Sequence, residues 1–293
     1  MPSTPPAGTV RDVPDLHDKQ QPAVLTVERD GHVATVFLDR PEKRNAMGMP
    51  FFAQLPQVMG ELGRDDEVRA VVMAARGPAF SVGLDLAALA SVGADERDGD
   101  PPSAATVARR IHADVLRLQG SISSVADCPK PVVVAIHGWC IGGGVDLTSA
   151  CDIRLCSADA VFSVRETRMA MVADIGSLAR LPELMSYGHV AELAYTGKDI
   201  DAARAERIGF VNEVLPDQET TLQAARQLAT EIAANSPLAV QGTKAVLAEG
   251  RRARIEAGLR FVAAWNAGQL RSDDLSEAVT AFFERRSPKF SGS

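Results

Sequence analysis

The stretch Trp139-Cys140-Ile141-Gly142-Gly143-Gly144-Val145-Asp146-Leu147 constrains this chain more than any other. A β-branched apolar run, Val132 to Ile136, enters it, and a helix-compatible segment carrying Asp146 leaves it. The pattern predicts a strand-to-helix corner. Three consecutive glycines at such a corner remove the side chains that keep a ligand off the backbone, and the first N–H groups of the helix are left pointing outward. The corner therefore suits negative charge, whether a fixed anion or an oxygen that becomes anionic during a reaction. Two plainer readings stand beside this one. Glycines at strand–helix corners also serve close packing, and an acid such as Asp146 in a first turn complements the helix dipole.

At 293 residues the chain can bury a large core, as one elaborated domain or a domain with an appendage. Its net charge of −7 argues against general nucleic-acid binding, so an acidic ligand must be met by local cations or backbone donors. No apolar run approaches the roughly 18–20 residues of a membrane span. Cys128, Cys140, Cys151 and Cys156 sit in apolar segments without paired metal-ligand spacing, and read as buried thiols of a reducing compartment. Residues 1–21 are rich in Pro and Asp and predict a disordered tail that is neither a secretory signal nor an Arg-rich transit peptide. Phe290-Ser291-Gly292-Ser293 is no peroxisomal address, and a cytoplasmic location is expected.

Along the chain, Ala23 to Glu28 and Val33 to Leu38 alternate apolar and polar residues across Asp30-Gly31, which predicts a hairpin. Asp39 to Ala46 is a polar loop holding Arg40, Lys43 and Arg44, read either as a solvated turn or as a phosphate-facing loop. A helix is predicted from Pro50 to about Leu62 and a buried strand from Val68 to Ala74. Directly after it, Phe80-Ser81-Val82-Gly83-Leu84-Asp85-Leu86 again places a glycine where backbone can approach a ligand. Two such loops can each offer one N–H to the same oxygen.

Ser91 to Ser103 is acidic, bears Gly and Pro, and is expected to be mobile. Val107, Ile111, Val115, Leu118, Ile122 and Val125 then recur at helical spacing. Strands are predicted at Asp152 to Cys156, Val161 to Val164 and Phe210 to Val214. Helical segments follow at Leu238 to Ala248, Ile255 to Ala267 and Leu275 to Arg285. Alternating strands and helices place the chain in the α/β class, with a helical end suited to a cap or to oligomerisation. Glu166 lies between Arg165 and Arg168, where a surface ion pair is the plain reading; Asp174 precedes a helical segment, where an N-cap is. In an apolar pocket, desolvation would instead raise either pKa and suit the group to proton transfer.

Three pieces in this order resemble the crotonase superfamily, the enoyl-CoA hydratase/isomerase family. They are Arg40-Pro41-Glu42-Lys43-Arg44-Asn45-Ala46, Phe80 to Leu86, and His137-Gly138-Trp139-Cys140-Ile141-Gly142-Gly143-Gly144 with Ala150-Cys151-Asp152-Ile153-Arg154 after it. The resemblance implies a spiral of ββα units over residues 22–220 and a C-terminal helical region over 221–293 that trimerises, commonly into hexamers. It also implies an oxyanion hole from the Leu84 and Gly143 N–H groups, facing an acyl-CoA thioester. Coenzyme A is then part of the substrate and would run along Lys43, Arg44, Asn45 and Ala46, along Ser81, Gly83, Leu84, Asp85 and Leu86, and past Gly142 and Gly143. No metal or redox cofactor is required, and neither nucleic acid nor membrane is an expected partner.

Within the superfamily the acids decide the reaction. A typical hydratase carries two glutamates, one just after the three glycines and one about twenty residues on. Here these places hold Asp146 and Glu166, and a further acid, Asp174, stands where hydratases have a glycine-rich turn. This set, with the later Ala264-Trp265-Asn266 and Ser272-Asp273-Asp274-Leu275, is similar to the Δ3,5-Δ2,4-dienoyl-CoA isomerase subfamily. The expected roles are Glu166 as base at C2, Asp174 as proton donor at C6, and Asp146 as the residue that orients or tunes the pair. The alternatives are a 2-enoyl-CoA hydratase using Asp146 and Glu166, and a CoA-binding protein without catalysis.

Overall fold

The structure of the protein, a computed structural model, describes residues 23–85 and 102–293. The tail expected over residues 1–21, Leu86 and nearly all of the stretch from Ser91 to Ser103 lie outside the described residues. The hairpin falls where Asp30-Gly31 predicts it, with β1 (Leu25–Asp30) antiparallel to β2 (Val33–Leu38). From β2 the pairing is parallel through β3 (Ala70–Ala75), β4 (Val132–Ile136), β6 (Ile153–Ser157) and β9 (Glu213–Leu215), in the order β1-β2-β3-β4-β6-β9. The inner strands β2, β3 and β4 are buried along their whole length, which explains their continuous apolar runs in place of alternation.

A second, three-stranded sheet is built from β5 (Trp139–Ile141), β7 (Val161–Ser163) and β8 (Ile200–Asp201). The chain thus lays one strand in the large sheet, the next in the small one, and then a helix. β4, β5 and α3 (Gly143–Ser149) form one such ββα unit. The apolar run Val132 to Ile136 therefore does not feed the glycine corner directly, because β5 intervenes after a turn at His137-Gly138. The segment at Ser81 extends the small sheet by a parallel bridge to Cys140, with Ser81 N–H donating to Trp139 O and Ile141 N–H to Ser81 O. That bridge sets the two glycine loops side by side.

Helices α1 (Met49–Arg64) and α2 (Ala104–Ala126) bury Phe52, Leu55, Met59, Leu118, Ile122 and Val125 on one side of the large sheet. On the other side, α7 (Gln218–Ala233) seats Ala225, Ala229 and Ala233 against Phe37, Val72 and Val133. Small residues let that helix approach closely. Its start is capped by Asp217, whose carboxylate accepts the Thr220 N–H; Ser103 does the same for α2 through Thr106 N–H. Between them lie α4 (Ser177–Arg180), α5 (Tyr187–Thr196) and α6 (Ala202–Arg207).

Two expectations move. The segments predicted at Leu238 to Ala248 and Ile255 to Ala267 are one helix, α8 (Pro237–Gln269), followed by α9 (Asp273–Glu284). The joining residues include one glycine, Gly250, and no proline, and a single helical glycine costs only about 1 kcal/mol. The strand predicted at Phe210 to Val214 lies later, at Glu213–Leu215. Phe210 is held inward by its ring packing on Phe162, and its carbonyl accepts from Arg154 Nε.

Candidate active site

The two glycine loops meet at close backbone contact. Gly83 has φ +85, and a Cβ there would lie 2.9 Å from Ile141 O and 3.2 Å from Gly143 N. Gly142 caps α3 with φ +53 and donates its N–H to Ser163 O on β7, leaving Gly143 at the first helical position. Met47 pins the other loop from outside, its N–H donating to Gly83 O while its carbonyl accepts from Asp85 N–H. Among the described residues, neither the Leu84 nor the Gly143 N–H enters a backbone hydrogen bond. Both residues line one cavity of about 60 Å³.

The same cavity is lined by Asp146, Glu166 and Asp174, with Val115, Leu118 and Leu270 in its apolar wall. Three acidic residues, from α3, from the turn at Glu166–Met169 and from the loop before α4, therefore line the same cavity as Leu84 and Gly143. Their surroundings differ. The Asp146 carboxylate accepts the Ser177 N–H at the start of α4 and lies near the buried Arg180, both favouring its ionised form; burial nonetheless raises its pKa, helped by the Asp174 charge. Glu166 is raised further from its ordinary value by burial first and by the Asp146 and Asp174 charges next, and its Oε2 is buried without a hydrogen-bond partner among the described residues. Asp174 is pushed up to about 6 by burial, against an opposing hydrogen bond from Asn266 Nδ2 to its Oδ2 at 2.7 Å.

The plain readings of Glu166 and Asp174 do not hold. Arg165 pairs with Asp199 and Arg168 donates to Thr196 O, so neither flanking arginine neutralises Glu166. The residue at the N-cap of α4 is Gly176, and the Asp174 carboxylate turns instead to Asn266 on α8. Asp146 does sit in the first turn of α3, yet its carboxylate reaches across to the Ser177 N–H.

The residues expected along coenzyme A divide into two kinds. Lys43 and Arg44 are exposed. Asn45 is buried, accepts Arg40 N–H and donates to the carbonyls of Arg76 and Ala79; Ser81 donates to Asn45 O and accepts Gly83 N–H. Asp85 pairs with Arg40 at 2.9 Å, and the same guanidinium donates to Ala46 O. These three side chains hold the loops in place. All four cysteines are free and buried.

Residues 28–293 match the family model described as enoyl-CoA hydratase/isomerase. The chain belongs to that family. A crystal structure of an enoyl-CoA hydratase/isomerase from Pseudoalteromonas atlantica T6c superposes with a TM-score of 0.79 at 27% identity, covering 92% of this chain and 100% of that one. The mitochondrial Δ3,5-Δ2,4-dienoyl-CoA isomerase of Dictyostelium discoideum is 42% identical over 88% of this chain and 87% of its own length. The peroxisomal isomerase of the same name from Arabidopsis thaliana is 38% identical over 91% and 95%. Like these enoyl-CoA hydratase/isomerase relatives, the chain has an α/β fold closed by C-terminal helices. The cytoplasmic location expected from the sequence is corrected by the same relatives, which are named as mitochondrial or peroxisomal enzymes.

Some residues of the site carried no signal of their own. Gln119, Ser177 and Arg180 are ordinary helix residues in the sequence, and Asn266 stood out only through resemblance. Their importance arises from contacts such as Gln119 Nε2 to Asp174 O at 2.6 Å, across 55 positions.

Proposed function

We propose that this protein converts 3,5-dienoyl-CoA to 2,4-dienoyl-CoA in fatty-acid β-oxidation. The observation that carries the reading is one small cavity lined by Asp146, Glu166 and Asp174 together with Leu84 and Gly143. Relatives of that name, similar over most of their length, support it. The C2–H of a 3,5-dienoyl thioester is acidic because its electron pair spreads through the diene onto the thioester oxygen. The Leu84 and Gly143 N–H groups stabilise that oxygen as charge develops. Glu166 takes the C2 proton. Its Oε1 lies beside the corner, 3.4 Å from where a Cβ on Gly142 would stand. Asp174 gives a proton to C6, the electron pair returns from oxygen into the chain, and the double bonds move from C3 and C5 to C2 and C4.

Burial makes ionised Glu166 a stronger base, and the crowding of three acids keeps at least one protonated, the mixed state that two-ended proton transfer needs. Asp146, whose carboxyl group is raised by burial to about 6 against the opposing Ser177 N–H and Arg180, tunes Glu166 by its charge when ionised. Exchanged roles form a second reading, favoured by one observation: Glu166 is driven towards its protonated form more strongly than Asp174. No step calls for a metal or redox cofactor, since the substrate itself holds the electrons.

The reading is tested by ultraviolet assay of purified protein with 3,5-octadienoyl-CoA and, separately, a 2-enoyl-CoA. Conjugation gained from the first with little lost from the second is expected. Loss from the second alone would make the protein a hydratase, and binding without turnover of either would make it a CoA-binding protein.

The same reading includes assembly into a trimer or a dimer of trimers. Leu238, Val246, Leu247, Phe261 and Trp265 are exposed on α8, as are Phe282 and Phe283 on α9, more apolar surface than two terminal helices leave to water. A solution mass three or six times that of the chain is expected by light scattering, and a stable monomer would contradict it.

A further inference from the structure

Asn266 lies on α8, 92 positions beyond Asp174, and is 2% exposed. Its Nδ2 donates twice, to Asp174 Oδ2 at 2.7 Å and to Val172 O at 2.9 Å. Both targets are acceptors, so only the amide nitrogen, with its two hydrogens, satisfies them together. Gln119 of α2 makes a matching pair of donations from Nε2, to Asp174 O at 2.6 Å and Leu259 O at 3.0 Å. The loop from Val172 to Asp174 is thus clamped between two buried amides, one of which reaches the carboxyl group itself. Apart from Asp174's own backbone N–H, which also bonds its carboxyl group, no described residue besides Asn266 donates to that group, and Asp174 lines the cavity.

We infer that Asn266 is a positioning residue of the reaction: by occupying Asp174 Oδ2, it confines the transferable proton to Oδ1 and aims that oxygen into the cavity. An oxygen lone pair that accepts an N–H in the plane of the carboxyl group is a poor place for a proton, so protonated Asp174 carries its hydrogen on the other oxygen. Helix α8 then contributes to proton transfer although none of its residues lines the cavity. Loss of Asn266 leaves Asp174 in the cavity with either oxygen free to carry the proton and with its carboxyl plane free to turn.

The inference rests on the isomerase reading, and its test separates the two. Wild type, Asn266→Leu, Asn266→Asp and Asp174→Asn are assayed with 3,5-octadienoyl-CoA in D2O, following exchange at C2 and deuterium entering C6 by mass spectrometry and NMR. Leu and Asp keep the size of Asn, and melting curves report folding. Asn266→Leu is expected to slow whichever proton transfer Asp174→Asn abolishes by about 10–100-fold, leaving the other within about twofold and KM unchanged. Asn266→Asp, which keeps the shape without the two-hydrogen donor, is expected to show the same one-sided loss. Equal slowing of both transfers in the folded variants, or no slowing of either, would overturn the positioning role. Absence of isomerisation in the wild type would instead overturn the isomerase reading itself.

Discussion

The two walls of the cavity are made in different ways. One is backbone, two N–H groups presented by glycine loops that are neighbours in a short sheet, fixed by hydrogen bonds between Ser81, Trp139 and Ile141. The other is side chain, three carboxyl groups of which Asp146 is held by Ser177 and Asp174 by Gln119 and Asn266, from three further places in the fold. In the proposed function, the backbone wall serves any reaction that puts negative charge on a thioester oxygen. The acid wall selects which bonds are then made, which is why a family can share the first and diverge in the second.

Breaking the backbone wall is expected to have the broadest effect, on both proton transfers together. A Cβ at Gly83 would sit 2.9 Å from Ile141 O on a backbone at φ +85, so Gly83→Ala must push the Leu84 N–H out of line. Loss of one such donor costs about 10²–10³ in rate. Both exchange at C2 and isomerisation should fall together in steady-state assays, because both pass through the same dienolate. A variant that lost isomerisation but kept exchange would show that the loops do not form one oxyanion site.

The acid wall has a smaller and opposite signature in stability. Asp174 titrates at about 6 in the folded protein against an ordinary 3.8, so the folded state holds its proton more tightly than the unfolded one. Well below pH 3.8 the group is protonated in both states and carries no penalty. As pH rises through 3.8 to about 6, the unfolded chain ionises first and stability falls. Asp174→Asn keeps the shape and an oxygen for Asn266 to donate to, and removes that penalty. At pH 7–8 it is expected to stabilise the protein by about 1–3 kcal/mol, the size of a shift of about two pKa units after solvent relaxation. Denaturant unfolding of both proteins at pH 4 and pH 8 checks this; a gain that is the same at both pH values would contradict it.

The same contrast explains how much was legible in the sequence. Gly83 and Gly142 to Gly144 are contiguous signals, because a backbone site is written locally, and β4 falls at Val132–Ile136 as its apolar run predicts. The acids could be named from the chain, but their environment could not. Glu166 between two arginines reads as a surface residue until Arg165 is seen to turn to Asp199 and Arg168 to Thr196. Asp174 reads as a cap until Asn266 reaches it from α8. The short β5 was hidden because three residues, Trp139 to Ile141, carry too little pattern to separate a strand from the turn that follows. The long α8 was divided because its apolar periodicity lapses around Gly250, where helix propensity alone carries the chain on.

The account stands most directly on what Asp174→Asn does to each end of the substrate. Wild type and variant are incubated with 3,5-octadienoyl-CoA in D2O, and deuterium is located by NMR. Retained exchange at C2 with no deuterium at C6 and no 2,4-dienoyl product is predicted, since Glu166 and the Leu84 and Gly143 N–H groups still form the dienolate. Loss of C2 exchange with Asp174→Asn, and its retention with Glu166→Gln, would contradict these roles and exchange the two acids.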